Sequence, residues 1–307
     1  MKLNNPHDKL FKAILQDKTL AVDYFNNFLP AQVVEQIDFD TLTISNSSYI
    51  DEKLRDTYAD MVFSCNLKND REPVELALLL EHKSYVDRHA PFQILYYIAS
   101  IWMQSIANKQ RPKLVIPILF YHGQEPWEYA TIGNYFKDLH PTLLQYVPVY
   151  DFIFNNLNGM SDDQIRKITN QFLAANFLAM KHFYDLEWLV NNLRTLFSEF
   201  IPGKAKINSQ FYVYLFNFVK LKKQEIMELL STMPTAQRTE ILSTYDQAIE
   251  EGMLKGLKKG RKEGKQENLV EVVVRCWNNK LDLGLIASIT NQTVEQVKEI
   301  LVANRLI

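Results

Sequence analysis

Asp60, Glu81 and Lys83 are the residues whose types and spacing best suit chemistry. In a β-strand successive side chains alternate, so Glu81 and Lys83 share one face. Asp60 opens a neighbouring extended run, and counting outward from the turn at Lys68-Asn69-Asp70 puts it about as far away as Glu81. Two carboxylates and an ammonium then converge at one end of a hairpin. Such charges at the end of a largely apolar strand are costly unless something compensates them. A divalent cation does so: Mg²⁺ takes one or two carboxylates plus water and substrate oxygens, and other divalent cations are admissible. Bound there, it lowers the pKa of a water and neutralises charge on a phosphodiester. Lys83 can orient or deprotonate that water, or stabilise developing charge as a cation. A lone E-x-K is usually a solvated strand end. The aspartate on the paired strand is what sharpens the reading.

The elements that must position these groups follow from patterning. Asn5-Pro6 starts a helix over His7–Leu15, and a second covers Leu20–Phe28 and stops at Pro30. Leu42–Ile50 alternates like a strand. Asp60–Leu67 and Pro73–Ser84 form the hairpin, and the run Leu78-Leu79-Leu80 expects cover on both faces. Ala90–Asn108 reads as a helix whose core stripe is Phe92, Leu95, Tyr96, Ala99, Trp102, Met103 and Ile106. A buried strand, Leu114–Tyr121, ends at His122-Gly123. Strand, helix and strand at this spacing make a right-handed crossover between parallel strands. The fold class is α/β: a mixed central sheet flanked by helices, followed by an all-α C-terminal half.

Three segments are expected: a core over 1–155, a helical region over 156–250 and a small module over 251–307. Ser161-Asp-Asp-Gln164 is a capping box before a helix carrying Ile165, Ile168, Phe172 and Leu173. Gly252, Gly256, Gly260 and Gly264 fall every fourth residue in a stretch with six Lys/Arg and four Asp/Glu between Glu250 and Glu267. That pattern suits either a self-associating helix, hence a homo-oligomer such as a dimer, or a charged linker, each glycine costing a helix about 1 kcal/mol. Leu283–Ile289 and Val294–Ile300 form a final helical pair, the second capped by Thr293 with Gln296. Its second helix has one Lys and two Glu in Val294–Glu299, poor for phosphate contact, which leaves a regulatory or protein-binding hairpin at least as plausible as DNA binding.

Accessory residues carry two readings each. Asp8 and Lys12 lie one helical turn apart, either a surface ion pair or, for Asp8, a group pointing into the site. Gln93 either hydrogen-bonds the site water or substrate or solvates the helix surface. Asp51 and Glu52 read as loop charges, with support of the site as the alternative. His122 ends a buried strand, where a structural hydrogen bond outweighs catalysis, and Cys65 reads as a small buried hydrophobe.

Composition excludes several classes. The 307 residues carry a net charge of -2, so bulk charge does not announce a nucleic-acid partner. Two distant cysteines, Cys65 and Cys276, make no zinc-ligand spacing. The N-terminus lacks the apolar run of a signal peptide, and no apolar run spans a membrane, so a cytoplasmic setting is expected.

The pattern D–20 residues–E-x-K resembles the PD-(D/E)XK nuclease superfamily. Residues 4–127 resemble, more narrowly, the Rpn recombination-promoting nucleases, also described as putative transposases. The matching pieces are Pro6-His7-Asp8 with Phe11-Lys12, Ala59-Asp60-Met61-Val62-Phe63, Leu80-Glu81-His82-Lys83-Ser84, the aromatic helix around Gln93–Trp102, and Pro117–Gly123 followed by Trp127. The resemblance implies a restriction-endonuclease-like core and a Mg²⁺-dependent endonuclease acting on DNA. In it Asp60 and Glu81 are metal ligands, the His82 backbone carbonyl a third, and Lys83 the catalytic lysine. Ala59 stands where the superfamily name has Pro, a position without chemistry. Two other classes compete: a catalytically silent DNA-binding or assembly protein, and a transposase-like strand-transfer enzyme using a DNA hydroxyl as nucleophile.

Overall fold

The computed structural model describes residues 6–45, 61–68 and 75–307. The chain divides into two compact units, Met1–Leu242 and Ser243–Ile307. Within the first unit, α1 (Pro6–Leu15) begins with Pro at a position where a missing N–H costs nothing. Helix α2 (Lys18–Phe28) is capped by Asp17, whose carboxylate accepts from the Thr19 and Leu20 N–H groups at 3.1 and 3.3 Å. A single helical turn, Ala31–Val34, then leads into the sheet.

The sheet has five strands in sequence order: β1 (Ile37–Ser45), β2 (Met61–Leu67), β3 (Glu75–Lys83), β4 (Leu114–Tyr121) and β5 (Ile153–Asn156). The hairpin expected from sequence is present, β2 pairing antiparallel with β3 in the register Met61↔Leu80 to Asn66↔Glu75. The crossover is present too. Helix α3 (Ala90–Ala107) connects β3 to a parallel β4, with Glu81 opposite Leu119 and Lys83 opposite Tyr121. Strand β5 adds a second parallel pairing, Leu119↔Phe154 and Tyr121↔Asn156. It is four residues long and half-buried throughout, too short for its periodicity to stand out in the sequence. β1 starts earlier than its alternation suggests and carries an irregularity between Asp38 and Thr43. Residues 46–60, which include the expected end of that strand, Asp51, Glu52 and Asp60, lie outside the described residues, as do 69–74.

Both faces of the sheet are covered. On one, Phe63, Leu80, His82 and Phe120 meet α1 and α2. Phe11 stacks on Phe120 and His82 at 4.7 and 4.6 Å, and Phe25 meets Phe63 edge-on at 5.0 Å. Helix α4 (Gln171–Lys181) joins this layer, buried nearly all round from Phe172 to Met180, with Phe177 against Phe28 and Phe120. The capping box at Ser161–Gln164 forms, but its helix stops at Arg166, and Asn170 caps α4 separately. On the other face, α3 packs Ala90, Ile94, Tyr97, Ile98 and Ile101 against Val62, Val115, Leu119 and Phe152.

That packing corrects the phase read for α3. The expected core stripe is largely outside: Tyr96, Trp102, Met103 and Ile106 are 41–64% exposed. The helix is apolar on nearly every side, so two stripes satisfy a 3.6-residue period. The one chosen by the sheet is the one that brings small and branched residues against it.

Helices α5 (Leu186–Ser198) and α6 (Ala205–Phe218) complete the first unit's core through Leu193, Phe197, Phe211 and Tyr212. α6 also holds α1: the Tyr214 hydroxyl and His7 Nδ1 are 2.9 Å apart in a buried pair. Helix α7 (Thr235–Asn278) is continuous through all four regularly spaced glycines, where an added Cβ would meet nothing within 4 Å. In the second unit Val273 of α7 packs with Ile286 of α8 (Leu283–Thr290) and Val297 and Leu301 of α9 (Val294–Ala303). Asn291, in the left-handed region at φ 51°, ends α8, and the Thr293–Gln296 capping box starts α9.

Burial lowers the His7 pKa to about 4, with the charge of His82 acting in the same direction and Asp8 opposing it. The folded imidazole is then neutral where the unfolded one takes a proton. Stability is full above pH 6.5 and is lost as pH falls from about 6.5 towards 4, by up to a few kcal/mol from this group. Thermal melts across that window should show Tm dropping, and His7→Phe should flatten the slope. Identical slopes for parent and variant would show that His7 does not carry the effect.

Candidate active site

β3 ends where α3 begins to cross the sheet, and its last three residues divide between the two faces. Glu81 and Lys83 point to the α3 side, His82 to the α1 side, as strand alternation requires. Glu81, His82 and Lys83 are 3, 5 and 6% exposed, so all three are buried in spite of their polarity.

The Lys83 ammonium is the hub. Its Nζ lies 3.0 Å from Glu81 Oε1 and donates to Asp87 Oδ2 at 3.0 Å and to Gln93 Oε1 at 2.9 Å. Three acceptors match the three N–H donors of an ammonium. Burial alone would lower the Lys83 pKa, but Glu81 and Asp87 outweigh it and hold the group above its ordinary value. Lys83 is therefore a cation here rather than a ready base. The Tyr85 ring adds a cation–π contact at 5.8 Å.

Each partner has a local reason to be in place. Gln93 sits in the first turn of α3, on the side facing the sheet. Asp87 lies in the turn before the helix: its Oδ1 accepts from the His89 N–H at 2.9 Å and its carbonyl from the Ala90 N–H at 3.0 Å. One carboxylate thus organises the helix entry with one oxygen and holds Lys83 with the other. The sequence reading did not single out Asp87. The signal was available as an aspartate four residues after Lys83 and just ahead of Ala90-Pro91, a typical turn before a helix start. Gly123, after β4, closes the other side. A Cβ there would lie 2.5 Å from the Ser84 carbonyl oxygen and 2.6 Å from the Tyr121 ring, so only glycine lets these strand ends approach so closely.

The remaining expected residues fall elsewhere. Asp8 pairs with His82, Oδ1 to Nδ1 at 2.7 Å, on the opposite side of β3 from Lys83. It reaches the Glu81–Lys83 face only through the strand, instead of pointing into it. Burial alone would raise the Asp8 carboxyl, but the His82 hydrogen bond and charge, with help from Lys12 and His7, hold it below the usual carboxylate range. His122 does not make the side-chain hydrogen bond expected of it. Among the described residues no other residue bonds its ring nitrogens, and the ring is held by stacking on His82 at 4.8 Å and by His7 at 4.5 Å. Burial, then His82 and His7, push its pKa well below normal, so it packs as a neutral ring. Cys65 is a buried member of β2.

The groups around Lys83 are two carboxylates and an amide oxygen, the hard oxygen type that Mg²⁺ prefers. Among the described residues no three His, Cys, Asp or Glu side chains are grouped closely enough to hold an ion by themselves. Glu81 and Asp87 are the carboxylates at hand, and Asp60 lies outside the described residues.

Removing one member of a buried ion pair leaves its partner without compensation. Lys83→Ala should therefore lower unfolding free energy by about 3–5 kcal/mol in the absence of metal. The double variant Glu81→Gln, Lys83→Met should recover much of that loss. Denaturant titrations decide it; a Lys83→Ala protein as stable as the parent would mean that the buried cluster is not ionic.

Comparison with known proteins gives the family. A family model described as "Putative transposase, YhgA-like" matches residues 5–210. Recombination-promoting nuclease RpnD of Escherichia coli O157:H7 is 30% identical over 259 residues, covering 80% of this chain and 94% of the relative. Recombination-promoting nuclease RpnA of Escherichia coli K12 is 31% identical over 221 residues, covering 70% and 72%. A third relative from that strain, named inactive recombination-promoting nuclease-like protein RpnE, is 24% identical over 255 residues, covering 81% and 83%. No solved structure matches the chain. The matched residues take in α1, the whole sheet, the crossover and the Glu81–Lys83 cluster, and the chain belongs to the YhgA-like family of recombination-promoting nucleases and their relatives.

Proposed function

We propose that this protein is a Mg²⁺-dependent DNA endonuclease that hydrolyses phosphodiester bonds, with Glu81 and Lys83 at its centre and Asp60 as the second carboxylate. The observation that carries the reading is the burial of Glu81 and Lys83 in contact, on one face, at the C-terminal end of a parallel strand pair. That end of an open α/β sheet is where ligands bind. A carboxylate–ammonium pair is a poor choice there for stability alone, because apolar residues of similar volume serve as well or better. The names of RpnD and RpnA support nuclease chemistry and DNA as the substrate.

In this reading Asp60 is the residue before Met61 in the sequence, and Met61 is the register partner of Leu80. Asp60, Glu81 and the His82 carbonyl would hold the ion. A bound Mg²⁺ supplies a water of lowered pKa and charge neutralisation at the phosphate. The chain's own residues do the rest. Lys83, fixed as a cation by Asp87 and Gln93, sets positive charge against the phosphodiester as negative charge grows on it. Gln93 presents an amide to the attacking water or a phosphate oxygen. Asp87 acts through Lys83 and is a positioning residue. The relative named inactive keeps a silent DNA-binding role as the competing reading, and the family description keeps strand transfer as another.

No helix among the described residues is long and apolar enough to cross a membrane, in keeping with action on DNA in the cytoplasm. Self-association along α7 belongs to the same proposal: Met253, Leu254 and Leu257 are 72, 51 and 61% exposed beside the open glycines.

Plasmid digestion tests the chemistry. Nicking should need Mg²⁺, stop with EDTA, and fall at least about 100-fold in Asp60→Ala and in Glu81→Gln, the scale expected when electrostatic stabilisation is lost. Equal cutting by parent and both variants rejects the site, and joined rather than cut products favour strand transfer. Sizing of Leu254→Glu, Leu257→Glu should show a smaller species than the parent; an unchanged size removes the α7 contact.

A further inference from the structure

We infer that the aromatic cavity bordering the Glu81–Lys83 cluster binds a nucleobase turned out of its stack, so that the enzyme handles one unpaired nucleotide at a time. The inference rests on the nuclease reading and goes on to name the part of the substrate that is held.

The cavity measures ≈ 490 Å³, within the usual range for small-ligand sites. It lies on the catalytic face of the sheet. Its floor includes Leu119 and Phe154, paired across β4 and β5, and Leu119 is in turn the register partner of Glu81. Its rim includes Val86 and Arg88, the two chain neighbours of Asp87, whose carboxylate grips Lys83. One residue step is about 3.8 Å, so the rim adjoins the residue whose carboxylate holds Lys83.

The walls suit a flat aromatic ring. Trp127, Tyr129 and Tyr135 line it, and each is partly or largely exposed. Solvent-facing aromatics normally swing freely, but these are tied. The Tyr129 hydroxyl donates to Asp151 and the Tyr135 hydroxyl to the Arg88 carbonyl, while Trp127 meets Phe154 edge-on at 5.5 Å. Rings fixed before binding lose little entropy when a base stacks on them. Stacking is worth about 1–3 kcal/mol per base. At the rim the Arg88 side chain is exposed and makes no ion pair among the described residues, leaving a guanidinium for a phosphate or for the face of a base. An aliphatic or lipid guest would use the apolar walls but not the arginine or the neighbouring ionic cluster. A nucleotide uses all three.

The test is binding of the full chain, in EDTA to prevent cleavage, to a short oligothymidylate and to an equally long strand of abasic sites. The phosphates are identical, so counterion release is matched. The parent should bind the base-bearing strand at least about 5-fold tighter, the low end of the stacking range. Tyr135→Leu, at an exposed wall, and Trp127→Leu, checked for parental melting, should each reduce that ratio while leaving abasic affinity unchanged. A parent that binds both strands equally, or neither, overturns the inference, as does a ratio that survives in both folded variants. Plasmid digestion is scored separately. A parent that cuts in Mg²⁺ but ignores bases loses the cavity and keeps the hydrolase; one that selects bases and never cuts loses the hydrolase and keeps the cavity.

Discussion

A buried ammonium among oxygen acceptors organises the side of the sheet that α3 covers. Lys83 could not remain charged at 6% exposure without Glu81 and Asp87, and the two carboxylates could not lie so near each other without Lys83. Satisfying that ammonium requires β3, the turn after it and the first turn of α3 to arrive together. The position of the crossover helix over the sheet is thus fixed by polar contacts at its start as well as by the apolar packing of Ile94, Ile98 and Ile101 further along.

The opposite side of β3 is governed by different physics. His82, between the two ionic residues in sequence, turns into an aromatic layer with Phe11, Phe120 and His122, and pairs with Asp8 at the start of α1. Burial keeps His7 and His122 neutral there. A single strand therefore separates a dry stack of rings from a charged cluster. The Asp8–His82 pair ties the N-terminal helix to the back of the strand that bears Glu81 and Lys83.

Much of this was legible in the sequence because it depends on local period and spacing. The hairpin, the crossover and the shared face of Glu81 and Lys83 follow from alternation and from the distance between strands. What was not legible depends on choices that only tertiary packing makes. α3 is apolar on several sides, and the sheet selected Ile94 and Ile101 over Trp102 and Met103. Asp87 looks like an ordinary turn residue until the helix it starts is placed over Lys83. His122 was assigned a hydrogen bond on the general rule for buried polar groups, yet ring contacts with His82 and His7 hold it instead. The four-residue β5 is recognisable only through its pairing with β4.

The double duty of Asp87 constrains evolution of the segment between Lys83 and Ala90. Surface connections ordinarily absorb insertions at little thermodynamic expense. Here the count of residues is set from both ends: Asp87 must stand four after Lys83 to reach its ammonium and two before His89 to take its N–H. An inserted or deleted residue would detach the helix from the lysine. Variation in chain length among related sequences should accordingly collect in other loops, and grafting this site onto another scaffold would mean moving the strand end, the turn and the helix entry as one block.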